Sequence, residues 1–130
     1  MILKLDMAGA TPIYQQIRNQ IVFGVATGQL RVGEPLPTVR QLAADIGVNP
    51  MTVSKAYTLL KEEGVIVIDR RHGAQISPVC PREEPMDGEF DDRASLLISE
   101  ARMKGASEET LKAHILRLID DVYRRKEVSQ

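Results

Sequence analysis

Apolar residues recur every four positions early in the chain: Ile13, Ile17, Ile21 and Val25 form one stripe, which predicts an amphipathic helix. Thr11 is placed as its N-cap and Pro12 at the first helical position, where a missing N–H costs nothing, and Gly28 is placed to close it. The stretch from Leu30 to Pro37 carries Gly33, Pro35 and Pro37 and reads as a turn-rich connector holding at most a short strand. A second helix begins at Thr38, because Thr38-Val39-Arg40-Gln41 has the form of a capping box. Val39, Leu42, Ala43 and Ile46 supply its inner face and Gly47 ends it. After Val48 a third helix starts, with Asn49 as N-cap and Pro50 at the first turn, burying Val53, Ala56, Tyr57 and Leu60. Two helices joined by so short a glycine-containing connection have the sequence form of a helix-turn-helix.

The third helix leaves Met51, Thr52, Ser54, Lys55 and Thr58 on its outer side, and its acids, Glu62 and Glu63, at the far end. Short polar and cationic groups near the start of a helix suit a DNA major groove, where acids would repel phosphate. Gly64 terminates the helix, and the β-branched run Val65-Ile66-Val67-Ile68 predicts a buried strand. Arg70-Arg71-His72-Gly73 reads as a turn and Ala74 to Ser77 as the returning strand, so that a hairpin, or wing, follows the helix-turn-helix. The glycine at its tip lets backbone approach a phosphate or a minor groove.

Pro78, Pro81, Pro85 and a cluster of acids then interrupt every period, which marks residues 79–92 as a linker. Beyond it two helices are expected, over 93–104 and from 108 to about 126, separated at Gly105. Ser107 caps the second, Glu108 and Glu109 complement its N-terminal dipole and Arg124, Arg125 and Lys126 its C-terminal one. Leu111, Ile115, Leu118 and Val122 follow at spacings of four, three and four, and Leu97, Ile98 and Ala101 lie on the preceding helix. Two short helices cannot bury such stripes alone, so a dimerisation segment over 93–130 is expected.

Composition narrows the function without deciding it. The 130 residues are 43% hydrophobic and 27% charged, as in an ordinary globular protein. No run approaches a membrane span and the start resembles no secretion signal, so a cytoplasmic protein with no membrane partner is expected. The net charge of −1 divides into +2 for residues 1–78 (8 basic, 6 acidic) and −3 for residues 79–130 (9 basic, 12 acidic). That asymmetry is too mild to require a nucleic acid, so the placement of the basic residues carries the argument. Aromatic residues at 4% disfavour a stacking platform for single strands. The single cysteine, Cys80, has no metal-binding or disulfide partner, and His114 reads as an exposed or interface side chain. Nothing in the chain forms a catalytic constellation, a metal cluster or a cofactor motif, so it reads as no enzyme and as needing no cofactor.

The ordered residues Gly28-x-Leu30-x-x-Gly33-x-x-Leu36-Pro37-Thr38-x-Arg40-x-Leu42-Ala43, then Val48-x-x-x-Thr52-Val53-x-x-Ala56-Tyr57-x-x-Leu60, then Glu63-Gly64 and Gly73 resemble the GntR family of bacterial winged-helix transcription regulators over residues 11–77. The resemblance implies that Arg40 reaches the major groove or its phosphates. It also implies that the amide and hydroxyl of Thr38 meet a phosphate at a helix N-terminus. Asn49, Met51, Thr52, Ser54 and Lys55 fall on positions that face DNA, although some relatives carry arginines where this chain has Pro50 and Ser54. Arg70 and Arg71 precede the pair His72-Gly73, which is similar to a wing tip that enters the minor groove. With only about 50 residues after Ser77, the chain resembles the small YtrA-type subfamily, which implies C-terminal dimerisation and transporter operons as targets.

The fold expected is therefore mainly α with a small β wing: a winged helix-turn-helix over 1–78, a linker, and a two-helix dimerisation segment. The function expected is a dimeric repressor that reads an inverted-repeat operator in double-stranded DNA through the recognition helix, 49–63, and the wing, 69–77. An unidentified small-molecule effector stays open, with room only in a shallow or intersubunit pocket. The alternatives are a winged-helix protein adaptor and a nonspecific architectural DNA binder.

Overall fold

In the computed structural model, which describes residues 3–78 and 85–128, the helix-turn-helix begins from a stripe on α1 (Ile13–Ala26). Its first residue is not the expected one. Pro12 is the N-cap, extended at φ −56° and ψ 149°, and no side chain caps the helix; Thr11 lies outside it. The Pro12 carbonyl accepts from Gln16 N at 3.0 Å and so starts the ladder that Pro12 itself could not donate to. The end is as expected: Gly28 follows the C-cap with φ +80°.

α2 (Val39–Ile46) carries the full capping box, with Thr38 Oγ1 accepting from Gln41 N and Gln41 Oε1 accepting from Thr38 N, each at 3.1 Å. Gly47 closes it in the left-handed region at φ +73°, and both Gly47 N and Val48 N donate to Ala43 O. α3 (Pro50–Glu62) starts at once, capped by Asn49 Oδ1 accepting from Met51 N at 2.8 Å.

Strands β1 (Ile66–Asp69) and β2 (Gly73–Ile76) pair antiparallel, with Ile66 opposite Ile76 and Asp69 opposite Gly73. The connector joins as a third edge, through Leu36 N to Ala74 O at 2.8 Å and Ile76 N to Glu34 O at 2.9 Å. The expectation of a buried β1 is corrected: only Ile66 is buried, whereas Val67 and Ile68 are exposed. Ile66 and Ile76 enter the core and Ala74 packs against it, whereas Val67 and Ile68 lie outside it.

Ile17, Ile21, Leu42, Ala43, Val53, Ala56, Tyr57 and Leu60 meet in one core with Ile66, Ile76, Leu30 and Leu36. Leu30 reaches it by folding back under α1, where its amide donates to Gly24 O at 2.9 Å. A Cβ on Gly24 would lie 2.9 Å from Leu30 Cδ1, so any larger residue there would have to displace the Leu30 side chain. Leu3 and Leu5 pack against the same core. Their segment is held along α1 by glutamines, Asp6 N donating to Gln16 Oε1 at 2.8 Å and Lys4 N to Gln20 Oε1 at 2.9 Å. Arg18 pairs in two-pronged fashion with Glu63, tying the middle of α1 to the end of α3.

The chain divides into two compact units around residues 81 and 82. The second contains α4 (Gly88–Met103) and α5 (Glu108–Val128), which pack together as a helical hairpin. α4 starts five residues before the expected 93, which corrects the end of the linker. Three of the acids assigned to the linker start this helix: Asp87 Oδ1 accepts from Phe90 N at 2.9 Å, and Glu89 and Asp91 sit at the positive end of the dipole. Ser107 Oγ accepts from Thr110 N at 3.2 Å at the start of α5. Cys80 and residues 79–84 of the linker lie outside the described residues, and so do the side chains of Arg125 and Lys126.

Candidate nucleic-acid interface

The capping chemistry that starts α2 also aims it. Because Thr38 and Gln41 satisfy one another, α2 begins at a fixed place, and Arg40, its second residue, stands exposed with no ion pair among the described residues. The same box revises one expectation. The Thr38 amide is taken by Gln41, so of the two Thr38 groups assigned to phosphate only the hydroxyl hydrogen is left to donate. The backbone donors left at that helix end belong to Val39 and Arg40.

On α3 the burial of Val53, Ala56, Tyr57 and Leu60 turns the opposite face outward. Ser54 and Lys55 are exposed, Thr52 is half-buried, and Met51 is 78% exposed. The side-chain oxygen of Asn49 is committed to the cap, which leaves its amide nitrogen as the group able to meet a base or phosphate. Lys55 does not project freely: its Nζ rests 4.1 Å from the centre of the Tyr14 ring on α1, a cation–π contact. No periodicity could reveal this pairing, because Tyr14 lies off the α1 stripe.

Tyr57 spends its hydroxyl inside the protein, donating to Pro37 O at 2.7 Å, and burial pushes its pKa up to about 12. It is a core residue, as the α3 stripe implied.

Arg70, Arg71, His72 and Gly73 are exposed and form the end of the wing, with Gly73 at φ +69°. The group that organises them is Asp69, which the sequence reading passed over. Its Oδ1 accepts from the amides of Arg71 at 2.7 Å and His72 at 2.6 Å, and its Oδ2 lies 2.9 Å from His72 Nδ1. These bonds, His72's amide first and its ring next, hold the Asp69 carboxyl below the usual carboxylate value. An Asp at the head of a turn can accept from the amide two residues on, an Asx turn, and that signal was available in Asp69-Arg70-Arg71-His72.

The predicted interface thus gathers Thr38, Arg40, Asn49, Met51, Thr52, Ser54 and Lys55 from the helix-turn-helix and Arg70 to Gly73 from the wing, all in the first unit. In the second unit, Leu97, Ile98 and Leu118 are exposed, whereas Ala101, Leu111, Ile115 and Val122 are half-buried. Leu96, Leu116, Ile119 and Tyr123 add exposed apolar surface that the heptad spacing did not include. Among the described residues no group of His, Cys, Asp and Glu could hold a metal ion, and no helix is long and apolar enough to cross a membrane.

Comparison with known proteins bears on the family and the fold. The chain is 32% identical over 119 residues to the HTH-type transcriptional regulator Rv1152 of Mycobacterium tuberculosis, covering 92% of this chain and 95% of that one. It is 43% identical over 76 residues, 58% of either chain, to the HTH-type transcriptional repressor YtrA of Bacillus subtilis. Among solved structures it superposes on a transcriptional antiterminator from Listeria monocytogenes with a TM-score of 0.84 at 28% identity, covering 95% of this chain and 93% of that one. It also matches YtrA from Sulfolobus acidocaldarius, a GntR-family transcription factor, with a TM-score of 0.54 at 34% identity, covering 92% and 98% of the two chains. The profile of bacterial regulatory proteins of the gntR family matches residues 11–76, the helix-turn-helix and wing just described. The chain belongs to the GntR family of bacterial transcriptional regulators, with YtrA-type relatives and a DNA-binding winged helix-turn-helix.

Proposed function

We propose that the chain is a cytoplasmic, dimeric repressor that reads an inverted-repeat operator. The observation that carries this reading is the division of labour on α2 and α3: their apolar faces are buried together, while Arg40, Asn49, Met51, Thr52, Ser54 and Lys55 are left to meet solvent or a ligand. Two α3 helices related by a two-fold axis would enter successive major grooves about 34–36 Å apart, with the wings in adjacent minor grooves. Arg40 and the polar groups of α3 discriminate bases. The Thr38 hydroxyl, the Val39 and Arg40 amides, Lys55 and the wing arginines set affinity through phosphate.

The exposed apolar residues of α4 and α5 support a second copy as the partner of that segment, with Leu97, Ile98, Ala101, Leu111, Ile115, Leu118 and Val122 at the contact. Repression is supported by the name of the Bacillus relative, and a transporter operon as target is what the resemblance to the YtrA-type subfamily implies.

Selection of the full chain against a random duplex library at physiological salt tests the reading. An enriched inverted repeat with half-sites one turn apart supports it. A bound pool without a motif favours an architectural binder, and an empty pool favours a protein adaptor or a DNA-competent state that needs an effector.

A further inference from the structure

We propose that Asp69 is a positioning residue that locks the tautomer of His72, so that the wing binds DNA with uptake of one proton at His72. The proposal rests on the DNA-binding reading above. Its starting point is the 2.9 Å contact between Asp69 Oδ2 and His72 Nδ1 in an exposed turn, where the two side chains are 49% and 69% exposed. An ionised carboxylate can only accept, so the hydrogen lies on Nδ1. Asp69 is ionised throughout the neutral range, because the amides of Arg71 and His72 also donate to it and hold its carboxyl low.

A neutral imidazole has one N–H. With that hydrogen turned toward Asp69, Nε2 presents a lone pair outward. The groups a wing meets on DNA are phosphate oxygens and the minor-groove edges of A·T pairs, all acceptors. Neutral His72 therefore faces them with an acceptor, beside a carboxylate whose negative charge is unbalanced. Protonation from solvent puts a hydrogen on Nε2 without disturbing the Nδ1 bond. The same step makes the ring a donor on its DNA side and brings the Asp69–His72 pair to zero net charge. Without the carboxylate, the neutral ring could move its hydrogen to Nε2 and donate with no proton uptake.

The other charged groups around the turn are few. Arg70 and Arg71 share it, and the connector paired to β2 carries Arg31 and Glu34, the latter accepting from Arg31 N at 3.0 Å. None forms an ion pair with the imidazole among the described residues.

The test is fluorescence anisotropy of the full chain with a labelled mixed-sequence duplex between about pH 6 and pH 8. We expect affinity to rise as pH falls, approaching at most about tenfold per pH unit, the limit for one proton. His72→Gln should flatten the dependence while His114, the other histidine, stays in place. Asp69→Asn keeps an oxygen for the turn amides but frees the tautomer, so it should also flatten the profile. Nitrogen NMR of the free chain should show His72 with its hydrogen on Nδ1. DNA binding with the same pH slope in the wild type and His72→Gln, or a ring protonated on Nε2 at neutral pH, would overturn the proposal alone. Absence of DNA binding at every pH would overturn the DNA-binding reading and the proposal with it.

Discussion

The hydroxyl of Tyr57, in the middle of α3, donates to the carbonyl of Pro37, the residue immediately before the N-cap of α2. This bond fixes the start of one DNA-facing helix against the body of the other. Tyr57→Phe keeps the ring in the core but leaves the Pro37 carbonyl without its donor, which should lower stability by about 1–2 kcal/mol in denaturant unfolding. The pH dependence has a definite sign. The folded-state pKa of about 12 lies above the ordinary value of 10.0, so the Tyr57 contribution is complete below pH 10 and is lost as pH rises toward 12. Tyr57→Phe should remove that alkaline loss, read from unfolding curves across the range.

Gly47 occupies the left-handed region at φ +73° between α2 and α3, and a Cβ there would meet nothing within 4 Å. Gly47→Ala should therefore cost only the backbone term, about 1–2 kcal/mol, with no clash added. A loss much above that in thermal unfolding would mean that the turn tolerates no change of angle.

Arg40 should behave as a base reader. Arg40→Ala is expected to cost about 1–3 kcal/mol on the selected operator and to relax preference at one position of each half-site. Uniform weakening with unchanged preference would make Arg40 a phosphate contact.

Lys55 should behave as a phosphate contact held in place by an aromatic ring. Lys55→Ala is expected to weaken binding to all sequences alike and to reduce the salt slope by about one. Tyr14→Ala, which removes the ring 4.1 Å from Lys55 Nζ, should reproduce part of that loss. Salt titrations of the two variants and their double mutant check whether the effects are coupled.

Ile115 is half-buried on α5, beside the exposed Leu118 and Ile119. Ile115→Asp should convert a dimer into a monomer in sedimentation and abolish cooperative operator binding. A stable dimer of this variant would place the contact elsewhere.

Much of the helix-turn-helix was legible because its signals are local. Thr38 with Gln41, Asn49 with Pro50, and Gly47 each satisfy or bend backbone within a few residues. The burial of Ile17, Leu42, Val53 and Leu60 followed from helical spacing alone. What escaped depends on partners distant in sequence. The exposure of Val67 and Ile68 reflects how little of the hairpin the helices cover, and the Lys55–Tyr14 contact joins two helices. The early start of α4 was missed for another reason: Asp87, Glu89 and Asp91 read as linker acids until the helix end they cap and complement is seen. Asp69 was legible as an Asx turn, but the run of arginines beside it drew the chemistry toward charge.

The central claim is that α2, α3 and the wing form one DNA-reading face. Amide chemical-shift mapping of the full chain on adding the selected duplex tests it most directly. The largest changes are predicted at Val39 and Arg40, from Met51 to Lys55, and from Arg70 to Gly73. Changes confined to α4 and α5, with the first unit unmoved, would contradict it.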